Sequence, residues 1–229
     1  MKLEIEILQR EYENVLSGYA ALLTFRFVNL CVKAEPAALL PAAIMVKGEE
    51  KKLEEVAQVG VKSDDQMDVY PFHEDLIMPI GKAVMEIHPE FKQSLETIHV
   101  ETQNKDMKFL RLTMPEVNGD RRDVLNTGVE AFFNEAKTQS DQSKAKYLQR
   151  LAKEIYELPK DEMDEARSQF DMVYDNHVRM IGHLVDEKKQ EIEEAYQRYL
   201  QKKQEAESLQ QEQADAEGRE VTTQMRMEY

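Results

Sequence analysis

FLRLTMPEVNGDRRDVL, Phe109 to Leu125, contains a change of periodicity on which the fold turns. Phe109, Leu110, Leu112 and Met114 form a short apolar run of the kind that makes a strand, Pro115 ends it, and Asn118 stands where a helix N-cap is expected. From Leu125 onward the core-type positions recur at helical spacing: Val129, Phe132, Ala136, Ser143, Tyr147, Leu151, Ile155 and Leu158. A strand-bearing segment therefore hands over to a long helix between Met114 and Asn118.

Upstream, Ala37 to Leu112 keeps the first texture. Short apolar runs (AAIMV, EVAQVGV, MDVYPF, IHVET, KFLRLTM) alternate with turn clusters (KGEE, KSDD, QNKD), which predicts short strands. Within it, Asp75 to His88 has helical spacing, with Pro79 in an early turn and Pro89 closing the helix. Further upstream, Ile5, Leu8, Tyr12, Val15, Tyr19, Leu22 and Arg26 trace one face of a first helix that should run to about Val32, before Pro36 and Pro41. Downstream, Leu158-Pro159-Lys160-Asp161 breaks the second helix, and Asp161 can cap a third along Ala166, Phe170, Val173, His177, Ile181, Leu184, Ile192, Tyr196 and Tyr199.

The expected fold class is α+β, an elongated three-helix bundle with a small inserted α/β domain. The bundle takes residues 1–35 and 114–205 and the insert 36–113, leaving 206–229 as an acidic, Gln-rich tail, frayed or disordered. Each narrow stripe can be buried only against other helices, and three helices satisfy that need.

Of the 229 residues 30 are basic and 45 acidic, a net charge of −15, which repels a phosphate backbone at long range; any nucleic-acid contact has to be local. Cys31 is the single cysteine, so no disulfide framework is possible and a reducing compartment is expected. No stretch has the apolar length of a membrane span, and no membrane partner is expected. MKLEIEILQREYENVL has neither signal-peptide nor transit-peptide character; for a protein acting in an organelle the targeting segment would be absent here.

Three segments resemble the ribosome recycling factor family. VKAEPAALL, Val32 to Leu40, is similar to the family's G-R-A-S-P-S-L-L, with Lys33 in place of its Arg and Ala34 and Pro36 kept. FLRLTMPEVNGDRRDVL is similar without a gap to I-R-V-P-L-P-P-L-T-E-E-R-R-K-D-L, keeping Arg111, Pro115, Arg121, Arg122 and Leu125. IGKAVMEIH, Ile80 to His88, resembles V-E-K-A-I-M-A-S, keeping Lys82, Ala83 and Met85.

The resemblance spans roughly Leu3 to Leu200. It implies an L-shaped protein whose bundle lies on large-subunit ribosomal RNA and proteins at the intersubunit face, and whose small domain is hinged to it. It implies elongation factor G as partner in splitting post-termination ribosomes, no cofactor, no active site, and a monomer off the ribosome. Divergence points to a mitochondrial or other organellar matrix, with the bacterial cytoplasm as the alternative. In one respect the chain departs from the pattern: the family's RNA-contacting R-x-x-R-R falls on Asp141-x-x-Lys144-Ala145, reversing one cation and removing another.

The candidate RNA-binding residues are therefore Arg121, Arg122, Lys137, Lys144, Arg111, Lys33 and Arg150, and the candidate hinge is Ala34, Pro36, Thr113 and Pro115. Between Lys137 and Lys153 the second helix carries five cations against Asp141 alone, in two stripes: Lys137 with Lys144, and Lys146 with Arg150 and Lys153. A solvated helix surface is the better account of such charges when no family likeness is considered, and the likeness turns the reading toward RNA contact. Arg121 and Arg122 lie in the first turn, where the helix dipole disfavours cations, so their placement points to a role beyond helix stability.

The five histidines contain no H-E-x-x-H and no i,i+4 pair, so no metal site is expected; His177 falls on the core stripe, and Cys31, with no histidine near it in sequence, reads as a packed residue. Neither a P-loop, nor G-x-S-x-G, nor G-x-G-x-x-G occurs, and the chain is not expected to be an enzyme. Two further readings stand beside recycling: a ribosome-bound structural component or assembly factor that keeps the fold, and a coiled-coil adaptor, which would be a parallel dimer.

Overall fold

The computed structural model describes the backbone of residues 2–100 and 105–227 and the side chains of 3–99 and 106–211. Helices α1 (Lys2–Val28), α4 (Gly119–Ile155) and α5 (Lys160–Met227) form an up-down-up bundle, α4 antiparallel to the other two. Two apolar clusters hold it. At the far end Leu8, Tyr12 and Leu16 meet Tyr147, Leu151, Ile155, Ala166 and Phe170; nearer the small domain Leu23 and Phe27 meet Leu125, Val129, Ile181, Val185 and Ile192. A polar layer lies between: Ser140 Oγ contacts His177 Nε2 at 2.8 Å, and Tyr19 and Ser143 share a hydrogen bond at 2.9 Å.

The α4 stripe and the α5 stripe as far as Ile181 lie where the spacing places them, whereas further along α5 Val185, Lys188 and Ala195 are buried and the expected Leu184, Tyr196 and Tyr199 are only half-buried. The Asn118 side chain caps α4 by accepting from the Arg121 N–H at 2.9 Å. The α1 stripe differs. Beyond Tyr12 the buried face is Leu16, Ala20, Leu23 and Phe27, while Leu22 is exposed and Arg26 turns out to pair with Glu135. Alternating steps of three and four lag behind a helix of about 3.6 residues per turn, and over several turns the lag moves the face. Helix α1 also stops at Val28 rather than Val32, its exit turning on Cys31 in a left-handed conformation (φ 51°).

Helix α5 begins at Lys160, so Asp161 sits in its first turn rather than at the cap, and the Met163 N–H bonds the Pro159 carbonyl at 3.0 Å. Where a frayed or disordered tail is expected from residue 206, the backbone stays helical to Met227. Gln, Glu, Ala, Lys and Leu all have high helix propensity, and pairs such as Lys203–Glu207 at 4.0 Å add i,i+4 support. At about 1.5 Å per residue its 68 residues span about 100 Å.

The small domain packs a four-stranded antiparallel sheet, ordered β3 (Ala57–Ser63), β4 (Gln66–Pro71), β6 (Lys105–Thr113) and β5 (Lys92–Val100), against helix α3 (Ile77–Ile87). Met67, Val69, Leu110 and Leu112 face inward onto Ile80 and Val84. Two elements are absent from the sequence reading. One is helix α2 (Leu53–Val56), a single turn; the other is β2 (Glu49–Lys52), which pairs with β1 (Ala43–Val46), the expected AAIMV strand, through Lys47 and Gly48, both at positive φ, so that the expected KGEE turn is a tight hairpin running into a strand. Gln103 and Asn104 of the QNKD turn lie outside the described residues, and Lys105 and Asp106 begin β6.

Candidate nucleic-acid interface and the elbow

The cations of α4 project from a face whose geometry its own core stripe fixes. Lys137 donates to Asp141 at 2.9 Å; Lys144 pairs with Asp171 of α5 at 2.7 Å and lies over the Tyr174 ring at 4.3 Å; Arg150 pairs with Glu11 of α1 at 2.8 Å and covers Tyr147. Arg122 stacks on Tyr196 at 4.5 Å and reaches Asp123 and Glu193. Each is thus tied to an acid of the same protein. Among the described residues Lys146 and Lys153 are exposed with no acid in ion-pair reach.

Asp141 explains part of this neutralisation. It accepts from Lys137 and from the Tyr174 hydroxyl; the Tyr174 hydrogen bond first, then Lys137, hold its carboxyl below the usual range, so it stays ionised.

Three other candidate cations serve the framework in this structure. Arg111 makes a two-pronged pair with the buried Asp68 across β4 and β6, at 2.8 and 2.9 Å, and covers Phe109. Lys33 pairs with Glu35 at 3.1 Å and Glu191 at 3.6 Å. Arg121, expected to face RNA, turns inward at the elbow instead: it donates to the Cys31 carbonyl at 3.3 Å, and its Nε is buried without a partner among the described residues. The reason is Asn118: capping begins α4 at the domain junction, which points the first turn at the chain crossing.

The two crossings between the cores lie at Val32–Ala34 and Met114–Val117. Val32 and Val117 belong to the bundle cluster, Ala34 and Met114 to the small-domain cluster. Of the candidate hinge residues, Pro36 opens a 3-10 turn and Thr113 is paired in the sheet to Lys92 and Gln66, so both sit inside the small domain; Ala34 and Pro115 are at the crossings.

Beside the elbow the fold places His88 against Cys31, a neighbour the sequence does not announce. The sulfur is 3.6 and 3.7 Å from the two ring nitrogens, His88 Nε2 bonds the Ala38 carbonyl at 3.0 Å, and Nδ1 lies 3.1 Å from Glu90. Thiol, imidazole and carboxylate converge within 4.8 Å. A sulfur equidistant from both nitrogens is off either lone-pair axis, and both nitrogens already face oxygens, so the trio satisfies a buried imidazole rather than presenting a ligand set. Burial and the nearby Glu90 push the Cys31 thiol up to about 12, the reverse of an activated nucleophile.

The architecture is that of a two-domain binding protein: a rigid helical strut with a charged face, jointed to a small sheet domain. Residues 28–192 match the family model described as Ribosome recycling factor, and the chain belongs to that family, which consists of non-enzymatic translation factors that bind ribosomes. It is similar to the ribosome-recycling factor of Hydrogenovibrio crunogenus, 23% identical over 194 residues, which are 81% of this chain and 92% of that one.

Among solved structures, the solution structure of the ribosome recycling factor is similar with a TM-score of 0.64 at 17% identity, over 83% of this chain and 98% of that one. Models for the T. thermophilus ribosome recycling factor and the E. coli elongation factor G bound to the E. coli post-termination complex give 0.53 at 21% identity, over 82% of this chain and 98% of that chain. The fold is the L-shaped one of this family.

Proposed function

We propose that the chain binds the intersubunit face of bacterial-type ribosomes and, with elongation factor G, helps split post-termination ribosomes into subunits. The observation that carries this is the fold shared along nearly the full length of a recycling factor, together with a helix α4 that concentrates cations on a protein of net charge −15. The bundle acts as the RNA-binding strut. Lys146 and Lys153 make the first phosphate contacts; Lys137, Lys144, Arg150 and Arg122 exchange their exposed intramolecular carboxylates for phosphates on docking, while Lys33, held by the half-buried Glu35 and Glu191, follows them. Such exposed pairs are weak and readily exchanged. Arg111 and Arg121 act as positioning residues, holding the sheet and the elbow. The protein is monomeric off the ribosome. Its site of action is a compartment that holds such ribosomes, the organellar matrix favoured by low identity to bacterial relatives and the bacterial cytoplasm being the alternative.

Cosedimentation with large subunits across a salt titration, followed by subunit splitting with elongation factor G and GTP, tests this reading. Binding should weaken steadily with salt and fall in the double variant Lys146→Glu/Lys153→Glu; failure to cosediment at low salt overturns it. The self-neutralised α4 face favours a second reading, a ribosome-bound component or assembly factor that keeps the fold without recycling. That reading requires stoichiometric retention on a subunit or precursor and no splitting.

A further inference from the structure

The core-facing stripe of α5 does not end with the bundle. Ile192 and Ala195 belong to the bundle core, and the same face continues through Arg198, Tyr199 and Lys202 onto the small domain. There it meets the β3–β4 turn, Asp64-Asp65. Arg198 lies 3.7 Å from Asp64, and Lys202 lies 3.8 Å from both Asp65 and Glu116.

That turn also grips both chain crossings by backbone hydrogen bonds. The Ala34 N–H donates to the Asp64 carbonyl at 2.7 Å, and the Met114 N–H donates to the Asp65 carbonyl at 2.8 Å. One two-residue turn thus ties together the incoming chain segment, the outgoing chain segment and the third helix of the bundle. The cleft around it, about 420 Å³, is lined by residues of both domains.

We infer that Arg198 and Lys202 form an electrostatic latch that holds the small domain at one angle to the bundle by seizing the Asp64-Asp65 turn, and that the elbow opens when those cations are drawn off by competing anions. Both cations lie beyond residues 28–192 that match the family model, on the stretch of α5 that reaches the small domain. The backbone bonds make Ala34 and Met114 move with the small domain and leave Lys33 and Pro115–Glu116 as the pivots. The buried Cys31–His88 contact already bridges the first pivot from within, and the Arg198 and Lys202 ion pairs add a surface clamp across both pivots from α5. Because the latched groups are largely exposed, salt weakens them; the Debye length falls from about 8 Å at physiological ionic strength to about 3 Å at 1 M. The inference does not depend on ribosome binding and is tested without ribosomes.

The experiment places one spin or fluorescent label on exposed Met85→Cys of α3 and another on exposed Met172→Cys of α5 in the full chain, Cys31 being buried. Interdomain distances are read at low and high salt. Wild type should give one narrow distribution at low salt that broadens as salt rises. Arg198→Glu/Lys202→Glu should broaden it at low salt, moving about three to ten times more of the population away from the latched distance, and Asp64→Lys/Asp65→Lys in that background should narrow it again. Helical circular dichroism and thermal midpoints of the variants establish that they fold, and Arg198→Gln/Lys202→Gln gives a gentler second variant. A distribution unchanged by both variants, or one that the charge swap fails to narrow, overturns the latch.

Discussion

Asp141 accepts a hydrogen bond from Lys137 at 2.9 Å, one turn away on α4, and another from the Tyr174 hydroxyl of α5. A carboxylate therefore sits among the cations of α4 and occupies one of them in the free protein. Asp141→Asn keeps an acceptor for Tyr174 while releasing Lys137. We expect tighter binding to large subunits at a given salt concentration and a salt slope steeper by up to about one unit. Cosedimentation across a salt series measures both. A slope and affinity equal to wild type would mean that Lys137 does not meet phosphate.

Cys31 is 1% exposed, and its thiol is pushed up to about 12. At pH 8 the native chain should react with a thiol-directed disulfide reagent at least about a thousandfold more slowly than the denatured chain, since both access and thiolate fraction are reduced. Stopped-flow labelling with and without denaturant checks this, and fast native labelling would show that the elbow opens far enough to expose the sulfur.

The Tyr12 hydroxyl is buried against Tyr147 and Phe170 with no hydrogen-bond partner among the described residues. Tyr12→Phe removes that unsatisfied group while keeping the ring stack. The denaturation midpoint should rise by the equivalent of about 1 kcal/mol with an unchanged denaturant slope. A lower midpoint would reveal a partner for the hydroxyl.

His177 lies in the polar layer of the bundle, and burial lowers its pKa. Ser140 Oγ donates to the Ala136 carbonyl, so His177 Nε2–H donates to Ser140, and the Nδ1 lone pair is left buried without a partner. The unfolded chain then binds a proton at this residue more readily than the folded one. Stability contributed here is complete above the unfolded value of about 6.5 and declines as pH falls through and below it. In His177→Gln, which retains an Nε2 donor for Ser140, the decline between about pH 7 and pH 5 should be shallower. Urea melts at several pH values measure the difference, and parallel curves for variant and wild type would contradict it.

Much of this molecule is legible along the chain. The stripes of α4 and α5 persist over many turns, so periodicity averages over local noise. The breaks at Pro115–Asn118 and Leu158–Pro159 act through backbone restrictions that need no tertiary context. The α1 stripe shows the limit of that method, since a small error of period moves Leu22 and Arg26 off the core and brings Leu23 and Phe27 onto it. The β1–β2 hairpin is hidden because EEKK carries no apolar alternation, and only its pairing with AIMV makes it a strand.

The candidate site divides the same way. Residue identity and spacing, read with the family likeness, mark Arg121, Arg122, Lys137, Lys144 and Arg150 as candidate cations on one helix, in more than one stripe, because a helix converts spacing into faces. Which of the candidate cations are free is decided largely by acids remote in sequence: Asp171 for Lys144, Glu11 for Arg150, Glu193 for Arg122 and, off that helix, Asp68 for Arg111. The inward turn of Arg121, the His88 beside Cys31 and the grip of Arg198 and Lys202 on Asp64-Asp65 follow from how the two domains meet. Local periodicity and backbone chemistry determined that this chain is a jointed helical bundle, because those forces act between residues a few positions apart. The charges and the joint were left to the tertiary structure, because an ion pair depends on distance in space and not on separation along the chain.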